Sequence, residues 1–206
     1  MVVRLPLPAV EMMDRPAAVQ RWPASFDAEQ ELLIVAVDTP NTPIRQTARQ
    51  QVRDVLREIL GEIELISEPG QPLRISGQQR TFGISVSHEN GLSLLAICRS
   101  GQVGIDLLQV PENTSWQAEI PVLAIDYLGQ KIARQISELP PKEQLVRFAQ
   151  AWTKHEARLK CRGLGLVEWN TALEKHLSPC QVQTLILPAG YLGAVATLKA
   201  AENPVA

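Results

Sequence analysis

A carboxylate and an ammonium group stand four residues apart in residues 148–169, which read FAQAWTKHEARLKCRGLGLVEW. Trp152, Glu156 and Lys160 recur every four residues, and this spacing places them on one face of a helix. A Glu–Lys pair of this kind is most often a solvated pair on a helix surface. The face thus presents an aromatic ring, a carboxylate and an ammonium group in a row.

Two other short segments contain polar side chains that could take part in a reaction. Residues 85–91 read SVSHENG, with Ser87 and His88 before a turn, and residues 103–108 read VGIDLL, with Asp106 after a glycine. A Ser-His pair before a turn is most often a local cap. A hydrolase triad of these three residues is disfavoured, because the serine lacks a G-x-S-x-G elbow and neighbouring residues do not readily face each other.

The first half of the chain is predicted to contain one helix and several strands. Residues 32–37, LLIVAV, are typical of a buried strand, and the apolar stripe of residues 44–60 predicts a helix. Alternation and turn residues then predict an antiparallel meander of three strands, at residues 82–86, 92–98 and 103–107. Residues 1–30 are rich in proline and weakly patterned, and we expect an irregular arm there.

Arginines recur every four residues along the predicted first helix, opposite its apolar stripe. They are Arg45, Arg49, Arg53 and Arg57. This edge is either a solvated face balanced by nearby acids or a site for an anionic ligand or an acidic partner surface, to which the planar guanidinium is suited.

The second half is predicted to contain helices followed by short strands. Residues 122–129 and 131–139 are helical in pattern, and the main helix covers residues 148–161, after which Gly163 and Gly165 end it. Short strands are predicted at residues 167–173, 180–187 and 192–198.

Composition limits the class of protein. The 206 residues are 45% hydrophobic and 20% charged, as in an ordinary soluble globular protein. A net charge of −2 argues against nucleic acid as the main partner. The three cysteines have no CxxC or metal-site spacing, and the chain has neither a long apolar run nor the layout of a signal peptide. We therefore expect a soluble cytoplasmic protein with reduced thiols and no membrane partner.

Taken together, in this order and with these gaps, the three segments resemble the motifs of the 4′-phosphopantetheinyl transferase superfamily. That family has an I/V-S-H-x-x-G loop, a G-I/V-D-x-E strand and a W-S/T-x-K-E-A-x-x-K helix followed by G-x-G-L. The resemblance covers about residues 70–170. It extends to GQP at residues 70–72, similar to a G-K-P turn, and to PAGYLGAVA at residues 188–196, similar to a late strand of the family.

The resemblance implies an α+β fold of two similar halves, each with a long helix packed on a small antiparallel sheet, related by a pseudo-twofold. We expect the halves at residues 1–108 and 109–206, with the active site in the cleft between them and a monomer as the working unit. Members of the family transfer the phosphopantetheine arm of coenzyme A to a serine of an apo acyl or peptidyl carrier protein. They release adenosine 3′,5′-bisphosphate.

The resemblance also implies roles for individual residues. Asp106 and Glu156 match the ligands of Mg²⁺, and Glu156 also matches the base that takes the serine proton. Lys160 matches a catalytic lysine that neutralises the phosphates. The residues expected to bind coenzyme A are Ser87, His88, Arg45, Lys160 and His155.

The chain departs from the family pattern at three positions that bear on the site. Leu108 replaces the second acid of G-x-D-x-E, His155 replaces the lysine of K-E, and Gln71 replaces the lysine of G-K-P. Two alternatives therefore stay open: a non-catalytic relative that binds coenzyme A or a carrier protein, and a generic α+β protein in which these residues are structural.

Overall fold

The structure is a computed structural model, and it describes residues 10–13, 31–41, 45–66, 73–76, 82–110 and 117–198. The strands are β1 (Val10–Met13), β2 (Leu32–Asp38), β3 (Leu65–Ile66), β4 (Arg74–Ile75), β5 (Gly83–Glu89), β6 (Leu92–Cys98), β7 (Gln102–Gln109), β8 (Gln181–Thr184) and β9 (Tyr191–Leu198). The helices are α1 (Arg45–Leu60), α2 (Ile120–Leu123), α3 (Gln130–Ser137), α4 (Pro141–Cys161) and α5 (Thr171–Leu177), with a π-helical turn at Ala124–Leu128. The architecture is α+β.

The first sheet has the strand order β1-β2-β6-β5. β2 pairs antiparallel with β6, and β6 pairs antiparallel with β5, whereas β1 runs parallel to β2. α1 covers one face of this sheet, because Val52, Val55 and Leu56 of its apolar stripe pack against Val35 and Leu95. The predicted first helix and the strands at residues 32–37 and 92–98 are therefore confirmed.

β1 corrects the prediction of an irregular arm over residues 1–30. Four of those residues, Val10–Met13, form a strand that pairs with β2. Such a short strand carries no strong period of its own, so a weak local pattern does not reveal it. The remaining residues of that segment lie outside the described part of the chain.

The second sheet has the order β7-β9-β8 and lies under α4. β7 pairs antiparallel with β9 and not with β6, which corrects the predicted three-stranded meander. The prediction was wrong because a tight turn between two strands favours their pairing but does not enforce it. α4 begins at Pro141, earlier than the predicted residue 148, because proline is well suited to the first turn of a helix.

The two sheets meet where β5 lies beside β7. The backbone amide of Ile105 donates to Ser85 Oγ at 3.0 Å, and the amide of Leu107 donates to Ser87 Oγ at 3.2 Å. Serine side chains therefore join the two strands at these positions. This contact brings the motif segments of β5 and β7 side by side.

One predicted strand of the second half does not form, and its last three residues belong to a helix. Residues 167–173 were expected to be extended, but α5 starts at Thr171, and the side chain of Asn170 caps it by accepting from the Leu173 amide at 2.8 Å. An N-cap asparagine is a strong helix start signal. The helical prediction for residues 122–139 is confirmed by α2, the π-helical turn and α3, and the strands at residues 180–187 and 192–198 by β8 and β9.

Within the described ranges, no helix combines the length and the apolar character needed to cross a membrane. A pseudo-twofold between the halves stays a prediction.

Candidate functional site

Three polar side chains from three elements meet where the sheets and α4 join. Lys160 Nζ donates to Asp106 Oδ1 at 2.7 Å and to Ser87 Oγ at 3.2 Å. Ser87 Oγ also donates to Asp106 Oδ1 at 3.1 Å. We call Ser87, Asp106, Lys160 and the neighbouring Glu156 the central cluster. Residues from all three sequence motifs therefore lie together in space.

A glycine allows α4 to approach β7 closely enough for these contacts. A Cβ at Gly104 would overlap the carbonyl oxygen of Ala157 and the backbone nitrogen of Cys161. Because β-strand side chains alternate between faces, Asp106 lies on the same face of β7 as Gly104. The absence of a side chain at Gly104 thus brings α4 within reach of the Asp106 carboxylate.

Burial dominates the protonation of both acids in the central cluster. Asp106 is 7% exposed, and its burial raises the pKa of its carboxyl although Lys160 and Ser87 act to lower it. Burial also raises the pKa of Glu156, and the charge of Asp106 raises it further, while Lys160 lowers it. Two carboxylates therefore lie near enough to repel each other, and one ammonium group attracts both.

Hydrogen bonds with residues of the first sheet and its adjoining turn hold the imidazole of His88 in place. Its Nδ1 lies 2.8 Å from Ser93 Oγ, and Ser93 Oγ donates to Thr39 Oγ1 at 3.3 Å. Burial lowers the pKa of His88 to about 4, and the charges of Arg49, Arg45 and Lys160 add to this effect in that order. The imidazole is therefore neutral near pH 7.

These same three cations create a positive region next to His88. The arginines of α1 differ in their surroundings. The charges of Arg45 and Arg49 lower the pKa of His88, whereas Arg57 forms an ion pair with Asp54 at 3.2 Å on the surface. Sequence reasoning placed Arg45 at the site but left Arg49 in the arginine edge. The four-residue spacing of the two arginines was the available signal, because it puts both on one face of the helix.

Glu89 is a residue near the site that sequence reasoning missed. It ends β5 and is half-buried. Burial raises the pKa of its carboxyl, Arg45 lowers it and the charge of Asp106 raises it, so Glu89 lies within electrostatic range of the central cluster. Its position directly after the Ser-His pair was the signal available in the sequence.

The structure does not bring His155 to the central cluster, and its assignment to coenzyme A stays a prediction. His155 is 5% exposed and lines a separate cavity on another face of α4. Burial lowers the pKa of His155 to about 4, and the charges that act on it are those of Arg158 and Glu174. A side chain one position from Glu156 lies about 100° further round the helix, so the two face different surroundings.

The other departures from the family pattern have simple structural outcomes. Leu108 is 8% exposed and supplies an apolar side chain with no oxygen for a cation. Gln71 lies outside the described residues.

Trp152 packs in the core, with its ring 5.5 Å from that of Phe148 and 5.6 Å from that of Tyr127.

The oxygen ligands available to a divalent cation are the carboxylates of Asp106 and Glu156. In the described part of the chain, Glu156 makes no hydrogen bond or ion pair, and no group of three or more His, Cys, Asp or Glu side chains is arranged to hold a metal ion. Mg²⁺ needs no such group, because it commonly binds through one or two carboxylates and completes its shell with phosphate oxygens and water. The donor set fits that ion, since a cation would relieve the repulsion between the two acids.

The chain is similar to curated proteins of one activity. It is 29% identical over 125 residues to the 4′-phosphopantetheinyl transferase AcpT of Salmonella typhimurium, and the match covers 58% of this chain and 62% of that protein. The AcpT of Salmonella typhi shows the same identity and the same coverage, so the chain spans about three fifths of these curated relatives. No family model matches the chain. The two relatives confirm the likeness first found in the motifs: this chain resembles the 4′-phosphopantetheinyl transferase superfamily.

Proposed function

We propose that this protein transfers the 4′-phosphopantetheine arm of coenzyme A to a serine of an apo acyl or peptidyl carrier protein. The observation that carries the proposal is the meeting of Ser87, Asp106 and Lys160 with Glu156 beside them. These residues come from three segments that each match a motif of one family. The similarity to two curated transferases supports the same reaction.

The reaction makes one bond and breaks one. The carrier serine oxygen forms a bond to the pantetheine-side phosphorus of the pyrophosphate, and the bond from that phosphorus to the bridging oxygen breaks. Adenosine 3′,5′-bisphosphate leaves with the electron pair. The serine proton goes to a base, and we assign this role to Glu156. Its pKa is raised toward the operating pH, where a general base is most efficient.

Asp106 and Glu156 would hold Mg²⁺, which supplies charge neutralisation of the pyrophosphate oxygens when it is bound. Lys160 is positioned to add a positive charge at the same place, while its bond to Asp106 keeps its ammonium group oriented. Ser87 fixes both partners, since its hydroxyl bonds to each of them.

The positive region around His88 is the proposed site for the remaining phosphates of coenzyme A. Arg45 and Arg49 act on this imidazole, and guanidinium groups bind phosphate through paired N–H donors. We extend the predicted set of Ser87, His88, Arg45 and Lys160 by Arg49, and we leave His155 out of it.

The test is a transfer assay with coenzyme A, Mg²⁺ and several apo carrier proteins, read by the mass of the intact carrier. We expect a gain of one phosphopantetheine group with the wild-type protein and none with Glu156→Ala, because the variant lacks the proposed base and a metal ligand. Glu143→Ala is the matched control, since this glutamate lies in the first turn of the same helix and is exposed. No gain on any carrier with the wild-type protein would remove the proposal.

Leu108 favours one second candidate, a non-catalytic relative that binds coenzyme A or a carrier protein. An aliphatic side chain stands there in place of an acid, which leaves the proposed ion with two carboxylates. Calorimetry separates the candidates. Coenzyme A affinity that is indifferent to Mg²⁺, without turnover, supports the binding protein, whereas affinity that rises with Mg²⁺ supports the transferase.

A monomeric working unit, a cytoplasmic location and a division of the chain into halves at residues 108 and 109 remain part of the proposal. β7 bears on that division, because it lies at the end of the first half in sequence but pairs with β9 of the second sheet.

A further inference from the structure

A cavity of about 470 Å³ lies on the opposite side of α4 from the central cluster, between α3, α4, α5 and β8. Its volume is within the range of about 300–1,000 Å³ that is usual for small-molecule sites. None of Ser87, Asp106, Glu156 and Lys160 lines it. The cavity is therefore a separate feature that the transfer reaction does not use.

Basic side chains of α4 stand on one side of the cavity. Arg158 is neutralised there, because its guanidinium bonds to both carboxylate oxygens of Glu174, at 2.8 and 3.3 Å. Arg147 and Lys154 also line the cavity, and among the described residues neither has an ion-pair partner. Two positive charges are thus left uncompensated in a chain whose net charge is −2.

A buried polar atom without a partner also belongs to this cavity. His155 lines it, is 5% exposed, and its Nε2 is enclosed without a hydrogen-bond partner among the residues that the structure describes. Buried polar atoms are almost always hydrogen-bonded, and an exception requires an explanation. The ring that carries this atom forms part of the cavity wall.

The remaining wall of the cavity contains several apolar side chains together with Gln135 and Ser178. Leu128 and Ile132 line it from the π-helical turn and α3, Ala151 from α4, and Val182 from β8. A fully polar anion such as inorganic phosphate would leave this wall without a partner. An apolar body joined to one anionic group matches both sides of the cavity.

We propose that this cavity binds a small organic anion with an apolar body, of the class of a medium-chain carboxylate. The carboxylate lies at Arg147 and Lys154, where a charge-assisted hydrogen bond is available, and the hydrocarbon chain lies on Leu128 and Ile132. This site is independent of the proposed transfer reaction.

Calorimetric titration with octanoate tests the proposal. We expect saturable single-site binding to the wild-type protein, weakened by about tenfold or more in the double variant Arg147→Met with Lys154→Met, which removes both charges but keeps the apolar stems. Lys142→Met is the matched control, because this lysine is exposed on the same helix and does not line the cavity. Glu156→Ala should bind octanoate as the wild type does, which separates this test from that of the transferase.

Octanol and inorganic phosphate distinguish the two halves of the ligand. Both should bind more weakly than octanoate, because each lacks one of the two recognised parts. The proposal is overturned by an absence of saturable octanoate binding, by equal affinity for octanol or phosphate, or by a double variant that binds octanoate as the wild type does.

Nitrogen-15 spectra of the histidine rings locate the site. Octanoate should shift the Nε2 resonance of His155 and leave that of His176 unchanged, because His176 is exposed and bonded to Arg162 outside the cavity. A shift of His176 with no change at His155 would contradict the assignment.

Discussion

At the scale of single residues, burial is the largest cause of the pKa shifts of the ionisable groups in the site. Asp106 has an ammonium at 2.7 Å, yet burial still raises the pKa of its carboxyl. Burial also keeps His88 neutral, and the charges of Arg49 and Arg45 lower its pKa further. The positive character of the site therefore comes from arginine and lysine, and a bound anion would favour protonation of the histidine.

His88 gives a prediction of pH dependence. In the free protein the pKa of His88 lies at about 4, and saturating adenosine 3′,5′-bisphosphate should raise it, because a nearby anion favours the protonated imidazole. Histidine resonances followed by NMR from well below pH 4 up to pH 8, with and without the nucleotide, measure the change. A His88 pKa that stays near 4 with the nucleotide bound would show that its phosphates do not face this ring.

At the scale of elements, the site depends on how closely α4 approaches β7. Gly104 permits this approach because its missing Cβ leaves room for the backbone of Ala157 and Cys161. Backbone atoms cannot rotate away as a flexible side chain does. The distance between Asp106 and Lys160 is therefore set by a residue that has no polar group.

Gly104→Ala should lower the free energy of unfolding by about 1–3 kcal/mol, the usual range for overpacking a tight core. Urea denaturation measures the change. Gly165→Ala is the control, since a Cβ there meets no atom within 4 Å, and we expect a change within about 0.5 kcal/mol. A Gly104 variant as stable as the wild type would mean that α4 moves away at no cost.

At the scale of the whole molecule, the site exists only where the two sheets meet. Ser87 comes from β5 of the first sheet, Asp106 from β7 of the second, and Lys160 from the helix that covers the second. Across this boundary, the hydroxyl of Ser85 accepts a hydrogen bond from the amide of Ile105, and that of Ser87 accepts one from the amide of Leu107. The same boundary thus holds the sheets together and positions the charged groups.

Ser85→Ala tests that boundary without touching a charged group. The Ile105 amide is buried and would lose its partner, which should cost about 1–3 kcal/mol of stability. Chemical denaturation monitored by tryptophan fluorescence measures it. Ser137→Ala serves as the comparison, because this serine is exposed at the end of α3, and an equal loss in both variants would contradict a special role for Ser85.

Part of the site was predictable from local spacing. The four-residue interval between Glu156 and Lys160 places them on one helix face, and the motif order indicated that Ser87 and Asp106 would join them; the structure brings Ser87, Asp106 and Lys160 into contact. The side on which His155 lies was not predicted, because a motif position implies a role while burial and neighbours decide the surroundings. Glu89 was missed, and Arg49 was named only as one of the four arginines along the first helix, since neither occupies a position that the motifs name.

The sequence by itself determined the main helices and most strands, because helix and strand periods are local properties of the chain. The set of groups expected to act on a phosphate came from the resemblance of three motifs to one family. Only the tertiary structure decided that β7 pairs with β9 and not with β6, and that Val10–Met13 forms a strand beside β2. It also decided that one face of α4 contributes to the central cluster and another face lines the separate cavity. Strand pairing and the contacts of a helix face join residues far apart in the chain. Their outcome depends on packing between elements, which no local pattern encodes.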